Sequence, residues 1–174
     1  NRKHRIGWRG KGGGGKSTVS CNLAVSLARE HSATIIDSDF DGPSIPRILG
    51  LIGKSLTIER SGIIPVPGPA GLRAVSTGFM LDDNEATIWF QDLKRQALEE
   101  FLSHIDYGED DYLILDLPPG TSSETVNVFK YLPDLDGVVV VTIPSELSQN
   151  VARRAIGLCK QAGAKVIGVI ENMS

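Results

Sequence analysis

A length of 174 residues fits one α/β domain that can bury a sizeable core. A net charge of −3 argues against a nucleic-acid partner, and no apolar run reaches the roughly 20 residues that a membrane span needs. The two cysteines, Cys21 and Cys159, lie too far apart in sequence to suggest a disulfide framework. We therefore expect a cytoplasmic protein with neither nucleic acid nor membrane among its partners, in which both cysteines are small buried hydrophobic residues.

The first predicted elements are a short, weak strand at 6–8 and a helix at 16–30, with a glycine-rich loop between them. The loop segment 10–17, GKGGGGKS, matches the phosphate-binding pattern G-x-x-x-x-G-K-[ST] without a mismatch. Glycines let successive backbone N–H groups line a concave site for anionic oxygens, and a helix N-terminus adds the positive end of its dipole. A flexible glycine turn that binds nothing is the alternative. The expected nucleotide-binding residues of the loop are Gly10, Lys11, Gly12, Gly13, Gly14, Gly15, Lys16, Ser17 and Thr18.

Four of these loop residues have separate expected roles. Lys16 can reach the β- and γ-phosphates, Ser17 can place its hydroxyl on Mg²⁺, and Thr18 can add a phosphate contact. A second cation near the bridging oxygens would stabilise charge that develops on the leaving group, which makes Lys11 a catalytic candidate beside Lys16. A solvated loop lysine is the alternative for Lys11.

An apolar strand predicted at 33–37 ends in the first of three closely spaced acids. Asp37, Asp39 and Asp41 follow one another in IIDSDFDGPS. Ligands of open α/β sheets bind at the carboxyl ends of the strands, so one of these acids is expected to orient an attacking water or to bind Mg²⁺ through water. For Asp37 and Asp41 the alternative is a turn or N-cap acid before a short helix predicted at 45–49.

A second acid-terminated strand is predicted at 112–116, after two β-like runs at 62–66 and 72–77 and a helix at 89–104. Asp116, in LILDLPPGT, follows four apolar residues and has the position of a Walker B acid that holds the water shell of Mg²⁺. The loop after it contains two prolines and Gly120, whose N–H can donate to a γ-phosphate and respond to hydrolysis.

The last third of the chain continues the alternation. It contains a short helix at 126–131, buried strands at 137–144 and 165–172, and a helix at 145–162. Continuous apolar strands separated by helices predict a doubly wound, mostly parallel sheet covered on both faces, which is the three-layer α/β/α fold of P-loop proteins. We expect residues 1–174 to form one nucleotide-binding domain. Because the chain stops at Ser174 directly after a strand, we expect that domain to lack its C-terminal part.

The motifs GKGGGGKST, IIDSDFDGPSIPRILG, DYLILDLPPGT and VIGVIENMS together resemble the Mrp-type P-loop ATPases of the wider MinD, ParA and nitrogenase-iron-protein group. The resemblance covers essentially the whole chain. It implies a protein that binds ATP and Mg²⁺, hydrolyses ATP slowly, and forms a homodimer with nucleotides at the interface. It also implies that the protein carries iron–sulfur clusters to apo client proteins.

The resemblance assigns roles to particular residues. Lys11 becomes the signature lysine that reaches the phosphates bound by the partner subunit, Asp39 positions the hydrolytic water, and Asn172 contacts the adenine. From its position alone, Asn172 is equally a turn former after a strand. The catalytic candidates are then Lys11, Lys16 and Asp39, and the metal candidates are Ser17, Asp37, Asp39 and Asp116.

Two of the chain's departures from the family pattern bear directly on its function. Gly14 replaces a valine, which should make the empty loop more mobile, and the family's cluster-binding CxxC lies beyond ENMS, so the cluster ligands are not in this chain. A MinD- or ParA-type positioning or partition switch is the alternative function. A metallochaperone GTPase is a third, which ENMS does not favour because it lacks the acid of a guanine-binding Asn-Lys-x-Asp motif.

Overall fold

The computed structural model describes residues 4–10, 13–39, 42–81, 102–118 and 135–173, and these contain a seven-stranded sheet. Its strands are β1 (His4–Gly10), β2 (Ala33–Asp37), β5 (Val66–Pro67), β6 (Arg73–Val75), β8 (Tyr112–Asp116), β9 (Gly137–Thr142) and β10 (Val166–Glu171). Their order across the sheet is β10-β9-β1-β8-β2-β6-β5. All neighbouring pairs are parallel except β5 with β6, which confirms the predicted mostly parallel α/β fold.

The first strand corrects the prediction of a short, weak strand at 6–8. β1 has seven residues and lies between β8 and β9, parallel to both. Gly7 is buried there, and a Cβ at this position would already be in van der Waals contact with Leu117 and Leu135. Backbone hydrogen bonds on both sides hold the strand in register, although its sequence is polar and short of apolar residues.

A smaller sheet of three strands accounts for part of the segment between β2 and β8. Its order is β4-β3-β7, with β3 at Ser55–Glu59, β4 at Gly62–Ile64 and β7 at Met80–Leu81. The predicted run at 62–66 is therefore divided between two sheets, because Ile64 ends β4 and Val66 begins β5. The strand β3 was not predicted.

Three α-helices lie in the described part of the chain. The first, α1 (Lys16–Ala28), buries Ser20, Cys21 and Ala24 and ends two residues before the predicted end. The second, α2, is one turn at Ile45–Ile48, and α3 spans Glu146–Gln161 after the N-cap Ser145. The helices predicted at 89–104 and 126–131 lie outside the described residues, apart from 102–104.

The core confirms the prediction for the central strands and corrects it for the last one. Every residue of β2 and β9 is buried, and so are Cys21 and Cys159, as expected. In β10, by contrast, Ile167 is 48% exposed and Val169 is 51% exposed. Among the described residues, β10 pairs with β9 alone, at one end of the strand order, and its apolar sequence does not by itself decide its burial. In the described residues, no helix has the length and apolar character needed to cross a bilayer.

Candidate functional site

The glycine-rich loop joins the central strand β1 to the N-terminus of α1. Gly13 and Gly15 have positive φ angles of 81° and 76°, a conformation that favours glycine. Gly15 is the N-cap of α1 and supplies no side-chain hydrogen bond, and the first turn of the helix contains no acidic residue. The backbone N–H groups at this helix end are therefore not taken up by a cap and can bind an anion.

A buried ion pair links the loop to the end of β8. The Lys16 ammonium lies 2.5 Å from one carboxylate oxygen of Asp116, and the Ser17 hydroxyl donates to the other at 2.5 Å. Lys16 is only 6% exposed and Asp116 is fully buried. Residues 100 positions apart in sequence thus form one compact charged group, because β1 and β8 are neighbours in the sheet.

Asp37 lies beside Asp116, since the two residues are paired in the register of β2 and β8. Its carboxylate accepts hydrogen bonds from the backbone N–H groups of Asp39, Ser44 and Ile45. The Ser76 hydroxyl is a fourth donor, at 3.1 Å. These contacts shape the turn after β2 and the start of α2, which is the turn-forming role that the sequence left open beside metal binding.

Burial, and after it the neighbouring charge of Asp116, raise the pKa of Asp37 to about 6. The backbone and Ser76 hydrogen bonds to its carboxylate oppose this shift by favouring the charged form. Asp37 is therefore a buried acid whose charged form is destabilised near neutral pH, and it neighbours the group around Lys16 through Asp116.

An open cavity of about 370 Å³ lies above this charged group. A volume in this range is typical of small-molecule sites. The cavity brings together predicted residues from two separate segments, the phosphate loop and the acid-rich turn after β2. Its described lining residues are Gly13, Gly15, Lys16, Ser17, Thr18, Asp39, Gly42, Ser44, Ile48 and Met173.

Asp39 is half-buried on the cavity wall, and its carboxylate accepts a hydrogen bond from the backbone N–H of Gly42 at 3.0 Å. Asn172 reaches the same region from the end of β10. Its side-chain amide donates to the backbone carbonyl of Gly14 at 3.1 Å. The next residue, Met173, has a positive φ of 59° and lines the cavity.

The structure leaves several predicted residues untested and adds others. Lys11, Gly12, Asp41 and Gly120 lie outside the described residues. Ser76, Gly42 and Met173 were not predicted as site residues, although the motifs IIDSDFDGPSIPRILG and VIGVIENMS contain Gly42 and Met173. Only the register could have indicated Ser76, which directly follows β6 and therefore lies next to Asp37 at the end of β2.

The donor set fits Mg²⁺ but offers no iron–sulfur ligands. The Ser17 hydroxyl and the Asp116 carboxylate are adjacent hard oxygen donors, the type that Mg²⁺ prefers. The described residues contain no group of three or more His, Cys, Asp or Glu side chains that could hold a metal ion. Both cysteines are buried, and burial raises the pKa of the Cys21 thiol to about 12, far from the thiolate form that ligates metals.

A parallel sheet with a glycine-rich phosphate loop after its central strand, and an acid at the end of the neighbouring strand, defines the P-loop class of nucleotide-binding folds. Within that class, the chain belongs to the ParA-type family described as NUBPL iron-transfer P-loop NTPases, whose sequence model matches residues 5–174. The resemblance to the MinD and ParA group is thereby confirmed.

Individual relatives agree with this assignment. The iron-sulfur cluster carrier protein of Saccharolobus solfataricus is 44% identical over 177 residues, covering all of this chain and 60% of its own length. A nucleotide-binding protein of Archaeoglobus fulgidus, solved in complex with ADP, is 36% identical with a TM-score of 0.79, over 98% of this chain and 66% of its own. MinD of Pyrococcus horikoshii, solved with Mg-ADP, shares the fold at 20% identity and a TM-score of 0.72, over 97% of this chain and 70% of its own. This chain spans between 57% and 60% of the length of three curated relatives.

Proposed function

We propose that this chain binds and slowly hydrolyses Mg-ATP, and that it does so as the nucleotide-binding part of an iron–sulfur cluster carrier that works as a homodimer. The observation that carries the nucleotide half of this proposal is the buried group formed by Lys16, Ser17 and Asp116 beneath an open cavity. The names of relatives at 39% to 44% identity support the carrier half.

The chemistry of binding follows from the charges in the site. A triphosphate is strongly anionic, so its oxygens would draw on the positive charge of Lys16 and on the uncapped N–H groups of the loop. Mg²⁺, when bound, would neutralise part of the phosphate charge, and Ser17 and Asp116 are the residues that would hold it. Because the Ser17 hydroxyl donates its proton to Asp116 and accepts from the Lys16 ammonium at 3.4 Å, one lone pair of its oxygen remains available to a metal ion.

Asp39 is the residue we propose to orient the attacking water, since its carboxylate lies on the cavity wall. Asp39→Asn should keep ATP affinity and lose most of the phosphate release, about a hundredfold for a positioned catalytic group. Asp106→Asn is a matched control, because the Asp106 carboxylate likewise accepts a hydrogen bond from a nearby glycine N–H but lies outside the cavity lining. Equal phosphate release by Asp39→Asn and the parent would remove Asp39 from the catalytic set.

Lys11, which lies outside the described residues, is proposed to act across the dimer on the partner's phosphates. Lys11→Ala should spare most of the ATP binding and lose turnover by about a hundredfold, the usual cost of one transition-state donor. Lys54→Ala, which removes an exposed lysine, is the control. If Lys11→Ala hydrolyses ATP as fast as the parent, the proposed role of Lys11 across the dimer is wrong. Sedimentation with and without Mg-ATP tests the dimer itself.

Cluster carriage is tested by reconstitution and by transfer to an apo protein. After anaerobic reconstitution with iron and sulfide, we expect a protein-bound cluster that is transferred to an apo ferredoxin, with visible absorbance as the measurement. A protein that takes up no cluster, but co-sediments with anionic vesicles or with DNA only when Mg-ATP is present, would instead support the positioning or partition switch.

A further inference from the structure

The side chain of Asn172 makes a contact that binding of a base does not explain. Its amide group donates a hydrogen bond to the carbonyl oxygen of Gly14 at 3.1 Å, across 158 positions of sequence. The backbone of Asn172 is itself fixed, since its N–H donates to the carbonyl of Thr142 at 2.8 Å, continuing the pairing of β10 with β9. A rigid part of the sheet therefore holds one peptide of the phosphate loop.

The consequence for the loop follows from the geometry of the peptide bond. The carbonyl of Gly14 and the N–H of Gly15 belong to one planar trans peptide and point in opposite directions. A hydrogen bond that fixes this carbonyl toward Asn172 directs the Gly15 N–H to the other side. Gly15 lines the cavity in which phosphates would bind.

The packing at this point is tight enough to hold the peptide in place. Gly14 is buried, and a Cβ at Gly15 would overlap the Asn172 amide nitrogen and come within 3.5 Å of the terminal methyl of Met173. A loop with four consecutive glycines loses more conformational entropy on ordering than other loops. A hydrogen-bond partner outside the loop therefore contributes more to ordering this loop than it would in a loop that contains a branched residue.

We propose that Asn172 is a positioning residue for the phosphate-binding loop, which holds the Gly14–Gly15 peptide with its N–H directed at the phosphates of the ligand. The inference rests on the proposed nucleotide binding and deepens it. It predicts that Asn172 contributes to the affinity of any polyphosphate in this site, whether or not a base is attached.

Isothermal titration of the whole chain with two probes, Mg-ATP and Mg-tripolyphosphate, separates this role from a contact with the base. Asn172→Ala should weaken both probes by the same factor of roughly five, as expected for one lost neutral hydrogen bond. Asn172→Asp, which sets a carboxylate against the Gly14 carbonyl, should weaken both by more than roughly tenfold. Asn22→Ala is the matched control, because Asn22 also donates to a backbone carbonyl, that of Thr18, but only within α1. It should leave both affinities within about twofold.

The outcomes are distinct. A loss for Mg-ATP with unchanged tripolyphosphate binding would place Asn172 on the base alone and overturn the inference, as would unchanged binding of both probes. A parent chain that binds neither probe would overturn the proposed nucleotide binding, and the inference with it. If Asn172→Ala lowers the thermal midpoint, Asn172→Ser, whose hydroxyl is too short to reach Gly14, provides the same comparison.

Discussion

Replacing Lys16 by methionine tests whether its buried ion pair with Asp116 stabilises the domain. Methionine keeps the length of the lysine stem and removes the charge. Because Asp116 is fully buried, its carboxylate would lose the counter-charge that lies 2.5 Å away. Removing one partner of a buried ion pair costs about 3–5 kcal/mol. We expect the free energy of unfolding to fall by about this amount, a large part of the 5–15 kcal/mol typical of a domain.

A double-mutant cycle isolates the pair from the other effects of each substitution. Asp116→Asn should also destabilise, because it leaves the Lys16 charge buried. The double variant contains neither charge. Its loss of stability should therefore be smaller than the sum of the losses of the two single variants, by about 2 kcal/mol or more. Urea unfolding followed by circular dichroism, in EDTA and without nucleotide, measures all four proteins. Lys54→Met, at an exposed position, is the control and should change stability by less than about 0.5 kcal/mol.

The same substitution should change the pH dependence of stability. Without Lys16, the buried charge of Asp116 loses its partner and acts more strongly on the neighbouring Asp37, whose pKa it already raises, so the pKa of Asp37 should rise further. The stability of Lys16→Met should then fall more steeply than that of the parent as pH rises from 5 to 8. A single-variant cost below about 1 kcal/mol, or strictly additive losses in the cycle, would refute the reasoning.

Three further predictions concern other parts of the site. In the folded chain, burial raises the pKa of Asp37 from its ordinary value of 3.8 to about 6. The stability that the protonated Asp37 contributes is therefore complete below pH 3.8 and is lost as the pH rises through 6. Urea unfolding in EDTA should show that Asp37→Asn removes up to about 3 kcal/mol of this fall in the free energy of unfolding. The same dependence of stability on pH in variant and parent would contradict the prediction. Cys21 and Cys159 are buried, so an aromatic disulfide reagent should label neither until urea unfolds the chain; rapid labelling of the native protein would show that one of them is accessible. Gly15→Ala combines a positive φ with overlap against Asn172, so calorimetry should show destabilisation of at least about 1 kcal/mol and loss of Mg-ATP binding, and retention of both would show that the loop relaxes at no cost.

The phosphate loop and the central strands could be predicted because their signals are local. The glycines of the loop, the lysine that begins α1 and the acid that ends β8 each stand in a pattern whose physical reason lies within a few residues. The alternation of apolar runs and helices likewise predicts a parallel sheet, and the observed strands β2, β8 and β9 begin at the predicted residues.

The environment of Asp37 could not be predicted from sequence. Its spacing suits a metal ligand and a turn-forming acid equally. Only the fold shows four donors around the carboxylate, one of them the Ser76 hydroxyl, which directly follows β6. The exposure of β10 is similar. An apolar strand is buried only if both faces are covered, and the position of a strand in the order of the sheet is a long-range property.

The sequence by itself determined the class of fold, the phosphate loop and the acids that accompany it, because these depend on local backbone freedom, periodicity and charge. Tertiary structure alone decided which of these groups touch. It paired Lys16 and Ser17 with Asp116, placed Asp37 under the turn, and brought Asn172 from the last strand onto Gly14. The physical reason is strand order. β8 and β9 both lie next to β1, so residues between 99 and 158 positions apart meet at one edge of the sheet.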